Sequence, residues 1–213
     1  MNFASRRNQD REQYGDRLPP GQKPTEGWPV LHYGTVPKID LDTWRLDITG
    51  MVDNPISLSW QQLMELPHYS TTNDIHCVTA WSKFDNEWTG VSVQDILKLV
   101  RPDPDAKAVM VHAYGGYTTN LTMADLALEG NLFAHSHGGK PLTREHGWPL
   151  RLVVPHLYFW KSAKWVQSLV LGPVDRQGFW EMYGYHLRGD PWREQRFSVS
   201  ETELIDFLQT EPT

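Results

Sequence analysis

Every periodic stretch in this 213-residue chain is short, and strand-like runs outnumber helical ones. Trp44-Arg45-Leu46-Asp47-Ile48-Thr49 alternates apolar and polar residues, the period of a half-buried strand, and Gly50 ends it. Ser59-Trp60-Gln61-Gln62 has the spacing of a capping box. A short helix should follow with Trp60, Leu63 and Met64 on one face, stopped by Pro67. β-Branched residues dominate 69–78, a strand leading into Cys77. Ser92 is placed to cap a second helix with Val93, Ile96, Leu97 and Val100 inward, ended by Arg101-Pro102-Asp103-Pro104. Residues 107–113 read as a strand, with Tyr114-Gly115-Gly116-Tyr117 as its turn. A short helix over 122–129 is closed by Gly130, and 150–154 and 165–171 are two more strands. Leu204, Phe207 and Leu208 form the stripe of a terminal helix over 200–208, able to dock on the core or on a second subunit. Short helices between many strands, with no internal repeat, predict a single α+β domain with mixed sheets and not a doubly wound one.

That domain is expected over residues 28–197. Residues 1–27, rich in charge, Gly and Pro, read as a flexible or extended arm, and 198–213 as a tail holding the last helix. An apolar fraction of 39% is low, but 10 Trp, 8 Tyr and 7 Phe carry large buried area per residue. Net charge is −6, and no basic run is long enough to suggest nucleic acid. No apolar run approaches a membrane span. Arg6-Arg7 looks like the start of a twin-arginine export signal, but 8–24 is polar and lacks the apolar segment such a signal needs. The expected compartment is the cytoplasm.

Cys77 is the single cysteine, in Ile75-His76-Cys77-Val78-Thr79-Ala80-Trp81-Ser82. It can form no intrachain disulfide, nor anchor a zinc site built from several cysteines. Three roles remain: a small buried hydrophobe, a nucleophile, or one sulfur ligand to a metal held mainly by something else. His76 points to the opposite face of a strand, so it is no obvious base for the thiol. Arg151, in Pro149-Leu150-Arg151-Leu152-Val153-Val154-Pro155, either lies on a strand edge facing water or meets an anion, phosphate above all. Lys161 and Lys164 stand three apart in Tyr158-Phe159-Trp160-Lys161-Ser162-Ala163-Lys164-Trp165. Alone, either is a snorkelling lysine on aromatic surface. With Arg151 close upstream and the Ser162 hydroxyl between them, a shared anion is the better account. His146, beside Gly147, is a ligand donor or an ordinary loop residue. His135 and His137 share the two-residue spacing of a strand face, yet supply only half a tetrahedral metal site, and chance spacing is the preferred account. No glycine-rich phosphate loop and no nucleophile elbow is present.

In this order the segments resemble the molybdenum-binding domain of the sulfite oxidase family. Three blocks carry the likeness. The first is His76-Cys77-Val78-Thr79-Ala80-Trp81-Ser82 with Trp88-Thr89-Gly90-Val91. The second is Gly139-Lys140-Pro141-Leu142 with His146-Gly147-Trp148-Pro149-Leu150-Arg151-Leu152-Val153-Val154-Pro155. The third is Lys161-Ser162-Ala163-Lys164-Trp165-Val166. The similarity runs from about residue 28 to 197. It implies a Mo-molybdopterin cofactor with the Cys77 thiolate on the metal, a soft ligand joining soft dithiolene sulfur. It implies His146, Arg151, Lys161, Ser162 and Lys164 as pterin and phosphate contacts, and His32 and Tyr33 as further ones. Thr119 is implied over Thr118.

The departures also carry expectations. Sulfite oxidases place arginines after the cysteine; here stand Trp81 and Ser82, a neutral wall suited to a sulfoxide or N-oxide more than to sulfite. The run after the cysteine also resembles that of the bacterial methionine-sulfoxide reductase catalytic subunit. No immunoglobulin-like dimerisation domain and no haem domain is expected. Electrons are then exchanged with a separate redox protein. A non-catalytic pterin-binding module and a cysteine-nucleophile enzyme are the rival readings, and oligomeric state is left open.

Overall fold

The computed structural model describes Asp10 and residues 12–198; the helix expected over 200–208 lies outside the described residues. Two sheets account for all the described strands. The first is built on β5 (Trp81–Ser92), the longest strand. β4 (His68–His76) and β8 (Leu132–His137) pair with it antiparallel, and β10 (Arg151–Val153) pairs antiparallel with β8. Two-residue strands β1 (Lys23–Pro24) and β9 (Lys140–Pro141) add to β5 and β8. At the bulge between Thr89 and Gly90 the chains run so close that a Cβ on Gly90 would sit 2.1 Å from the Phe133 carbonyl.

The second sheet runs β3 (Ile56–Ser59), β2 (Arg45–Gly50), β11 (Val166–Gly172), β6 (Ala108–Ala113), β7 (Thr118–Thr122). β11 is parallel to β2 and antiparallel to β6, so both sheets are mixed, as the α+β reading predicts. No strand is left over for an immunoglobulin-like domain among the described residues.

Local chemistry sets the helices. In α1 (Trp60–Met64) Ser59 Oγ accepts from Gln62 N at 3.2 Å, and Gln62 Oε1 accepts from Ser59 N at 2.9 Å, the expected capping box. Leu63 is buried and Trp60 packs edge-on to Trp44, but Met64, expected on the same face, is exposed. α2 (Val93–Val100) is capped by Ser92 and buries Val93, Ile96 and Val100. α3 (Met123–Leu126) is capped by Thr122, and α4 (Phe179–Met182) follows the last strand. The main core joins Leu46, Ile48, Val111 and Leu169 of the second sheet to Phe133 and Leu152 of the first through Ile96. Each such side chain contributes about 1.5–3 kcal/mol on full burial. A smaller cluster around Ile75, Trp88 and Val153 packs against Trp28, Trp81 and Phe159 and backs the site.

The described part of the N-terminal arm is docked, and it opens in helical turns, a 3-10 helix over Gly15–Arg17 among them, before the short strand β1. Arg17 bridges Asp74 and Asp85, Tyr14 stacks on Phe84 at 4.0 Å, and β1 pairs with the start of β5. These contacts lie on the β4–β5 hairpin, whose tip is Cys77.

Candidate functional site

Cys77 sits one residue beyond β4, in the turn to β5. Its N–H donates to the Trp81 carbonyl at 2.8 Å and its carbonyl accepts from Ala80 N at 3.0 Å. Closing so tight a turn puts Ala80 at φ 69°. Cys77 is 7% exposed and lines a cavity of about 290 Å³. The Thr79 hydroxyl lies 3.1 Å from its sulfur. Burial pushes the thiol up; the Thr79 contacts and the Arg196 charge oppose that. No imidazole reaches the sulfur. His76 bonds Ser82 Oγ at 2.8 Å, and burial drives it down to about 4.

Arg151 lies on the outer strand of its sheet, yet it is buried. Nη1 donates to the His146 carbonyl at 3.0 Å and Nη2 to the Ser162 carbonyl at 2.8 Å, while Nε has no partner. The rings of Phe159, Trp28 and Trp88 surround the guanidinium, at 4.2, 5.5 and 5.5 Å. Burial pulls it down to about 9. The alternative of an arginine facing water is excluded. Lys164 lines the same cavity and donates to the carbonyls of Leu31 and Glu145, at 2.7 and 2.6 Å. Burial, then the Arg151 charge, lowers it to about 7. Gly147, at φ 112°, lets the His146 loop close over both cations: a Cβ there would lie 3.0 Å from Arg151 Cβ and 3.3 Å from Lys164 Cα.

His32, Tyr33 and Ser162 also line the cavity. The Ser162 hydroxyl accepts from Val154 N at 2.9 Å. His146 stands behind the lining: its ring stacks on Trp28 at 3.8 Å, Nδ1 bonds the Thr143 hydroxyl, and Nε2 has no well-aligned partner.

Two expected contacts lie elsewhere. Lys161 is fully buried against Glu181, 2.6 Å away, and also donates to Asn120 and to the Leu187 carbonyl. The anion it requires is therefore a carboxylate of α4 and not a ligand. Thr119 donates to the same Glu181 at 3.1 Å and does not line the cavity. From that turn Tyr117 reaches the wall, its hydroxyl on the Trp160 carbonyl at 2.6 Å. Of the neutral pair after the cysteine only Trp81 faces the cavity; Ser82 turns inward to His76 and Gln22. His135 bonds His68 at 2.9 Å and His137 bonds Asn86 at 3.1 Å; no cluster of three or more metal-ligating side chains occurs among the described residues. Trp28, Thr79, Trp180 and Tyr185 are wall residues that spacing in the sequence does not single out. A dense aromatic content is the only hint of them.

A mixed-sheet α+β domain with a lone thiol and unpaired cations on one aromatic cavity defines a cofactor-dependent redox class. The chain belongs to the oxidoreductase molybdopterin binding domain family, whose model matches residues 33–180. It is 47% identical over 199 residues to YuiH, an uncharacterized oxidoreductase of Bacillus subtilis, covering 93% of this chain and 99% of that one. A protein of Azospira oryzae named as a protein-methionine-sulfoxide reductase subunit, YedZ1, is 29% identical, with 74% and 61% covered. Arabidopsis thaliana sulfite oxidase is 27% identical, with 73% and 49% covered, so the chain spans only part of these two. The sulfane dehydrogenase SoxCD from Paracoccus pantotrophus shares the fold, with TM-score 0.61 and 22% identity over 67% of this chain and 41% of that one. The protein is an oxidoreductase, and Mo-molybdopterin is its cofactor. The residues fit such a group: Arg151 Nε and Trp81 Nε1 are buried without partners on a cavity that also holds a thiol and Lys164. No helix of the described residues is long and apolar enough to cross a membrane.

Proposed function

We propose that the cavity seats Mo-molybdopterin with the Cys77 thiolate on the metal, and that the protein transfers an oxygen atom to or from a small neutral substrate such as a sulfoxide or N-oxide. One observation carries this reading. A thiol without a base and cations without a carboxylate converge on one aromatic cavity. When bound, the cofactor supplies two-electron oxygen-atom chemistry, its molybdenum alternating between VI and IV.

The chain's own residues bind, orient and shield. Arg151 Nε and the unspent N–H of Lys164 are donors for phosphate or pterin oxygen. Ser162 holds Arg151 in place through its carbonyl, and His146 does so from the Gly147 loop. His32 and Tyr33 border the cavity from the segment before β2. Lys161 and Thr119 act one layer out. They fix Glu181, which also accepts from Trp160 Nε1 at 2.8 Å, and Trp160 is part of the wall. Trp81 gives a sulfite anion no positive partner at the place where sulfite oxidases carry arginine. A sulfoxide appears in the printed name of one relative and sulfite in that of another; the Trp81 wall favours the former. A single cysteine cannot ligate an iron–sulfur cluster, and a separate redox protein is the proposed source or sink of electrons.

Elemental analysis of protein from a host that makes the cofactor tests the reading. Molybdenum bound to the wild type and lost in Cys77→Ser is expected, together with turnover of sulfoxides or N-oxides exceeding that of sulfite. Bound pterin without metal would instead indicate a binding module. Metal-free protein with a hydrolase activity abolished by iodoacetamide would indicate a nucleophile.

A further inference from the structure

The Cys77 turn is held from outside by both ends of the described chain. Its internal bonds are few, and Ala80 at φ 69° works against it, a conformation costing roughly 1 kcal/mol for a residue with a Cβ. The Cys77 carbonyl accepts a second bond, from Gln22 Nε2 at 3.0 Å. Gln22 is buried, and its Oε1 meets the Ser82 hydroxyl. The Val78 carbonyl accepts from Arg196 Nη1. Arg196 is itself fixed: its guanidinium lies over the Tyr158 ring at 5.0 Å, and its carbonyl accepts from His186 N at 3.0 Å. Phe197 bridges to Tyr185, whose carbonyl accepts from Ser198 Oγ. Neither Gln22 nor Arg196 lines the cavity, so neither can touch substrate or cofactor there.

We infer that Gln22 and Arg196 are positioning residues that clamp the two carbonyls of the Cys77 turn and thereby set the orientation of the sulfur towards the metal. The inference rests on the reading of Cys77 as the metal's ligand. The two clamps come from segments more than fifty residues and more than one hundred residues away, at 55 and 118 positions. A hairpin tip with an apolar sequence cannot hold one conformation by itself; bonds brought from elsewhere in the fold restrict it. Because the same strap carries Arg196 and the cavity residue Tyr185, it also ties the turn to the opposite wall.

The test compares Arg196→Ala, Arg196→Lys and Gln22→Ala by hydrogen exchange and by electron paramagnetic resonance of the partly reduced, metal-loaded protein. Loss of one charge-assisted bond should speed exchange at the Cys77 and Ala80 amides by about tenfold in Arg196→Ala. Gln22→Ala should give a smaller rise, and amides of β6 and β11 should keep their rates in both. The g values of the molybdenum signal should shift with Arg196→Ala and return towards wild type with Arg196→Lys, which restores a cationic donor. Arg196→Lys also keeps the test alive should Arg196→Ala fail to fold. Unchanged exchange at the turn and unchanged g values in loaded variants would overturn the clamp and leave Cys77 as ligand. Wild type that takes up no molybdenum would overturn the ligand reading, and the inference with it.

Discussion

Two buried cations ten positions apart, Arg151 and Lys161, have opposite surroundings. Lys161 is closed: Glu181 neutralises it, and Asn120 and Leu187 take its remaining hydrogens. Arg151 is open: it has two carbonyls, three aromatic faces, an idle Nε and no carboxylate. A buried charge that the fold completes is structural. One that the fold leaves incomplete, on a cavity wall, is set up for a ligand. The same contrast separates Thr119, spent on Glu181, from Lys164, which lines the cavity with a donor in hand.

The largest effect should come from breaking the closed pair. Glu181→Leu leaves Lys161 buried and unpaired and should cost about 3–5 kcal/mol of stability in urea unfolding of the cofactor-free protein. Adding Lys161→Met should recover most of that loss, since two apolar side chains need no partner. A double variant as unstable as the single one would mean that the pair is not what Glu181 serves.

At the open site the ordering reverses. Arg151→Met should change stability of the cofactor-free protein by no more than about 1–2 kcal/mol, because removing an unpaired charge offsets two carbonyls losing a donor. Its bound pterin, measured by fluorescence of the released and oxidised group, should fall at least about tenfold, the worth of one charge-assisted contact. Wild-type pterin content in Arg151→Met would erase the distinction between the two cations.

A further test concerns pH. Lys164 is held near 7, below the ordinary lysine value of about 10.4, so between these limits the unfolded chain binds a proton that the folded one does not. Stability of the cofactor-free protein therefore rises with pH across that window. Lys164→Met should flatten the rise in Tm relative to wild type, and an equal slope in both proteins would remove Lys164 as its source.

Part of the architecture is legible in short-range chemistry, whereas β3, β5, β7 and β8 have no counterpart among the expected strands. The Ser59 capping box, the Ser92 cap, the alternation before Gly50 and the glycine turn after Ala113 act within a few residues of themselves. The candidate site is legible in part. Cys77, Arg151, Ser162 and Lys164 stand out by type and context, and the fold brings all four to one cavity. Lys161 carries the same signal as Lys164, yet sequence spacing cannot tell that α4 returns a carboxylate to it from 20 residues downstream. The aromatic wall of Trp28, Tyr117, Trp180 and Tyr185 comes from three separate segments and has no local signature.

The sequence by itself determined the strand and helix punctuation, the single thiol and the supply of cations, because these depend on residue type and near neighbours. Tertiary structure alone decided which cation is neutralised, which of Trp81 and Ser82 faces the cavity, and that Gln22 and Arg196 meet at the cysteine turn. The physical reason is that a buried charge or carbonyl takes its character from whichever distant group the fold brings within hydrogen-bonding distance.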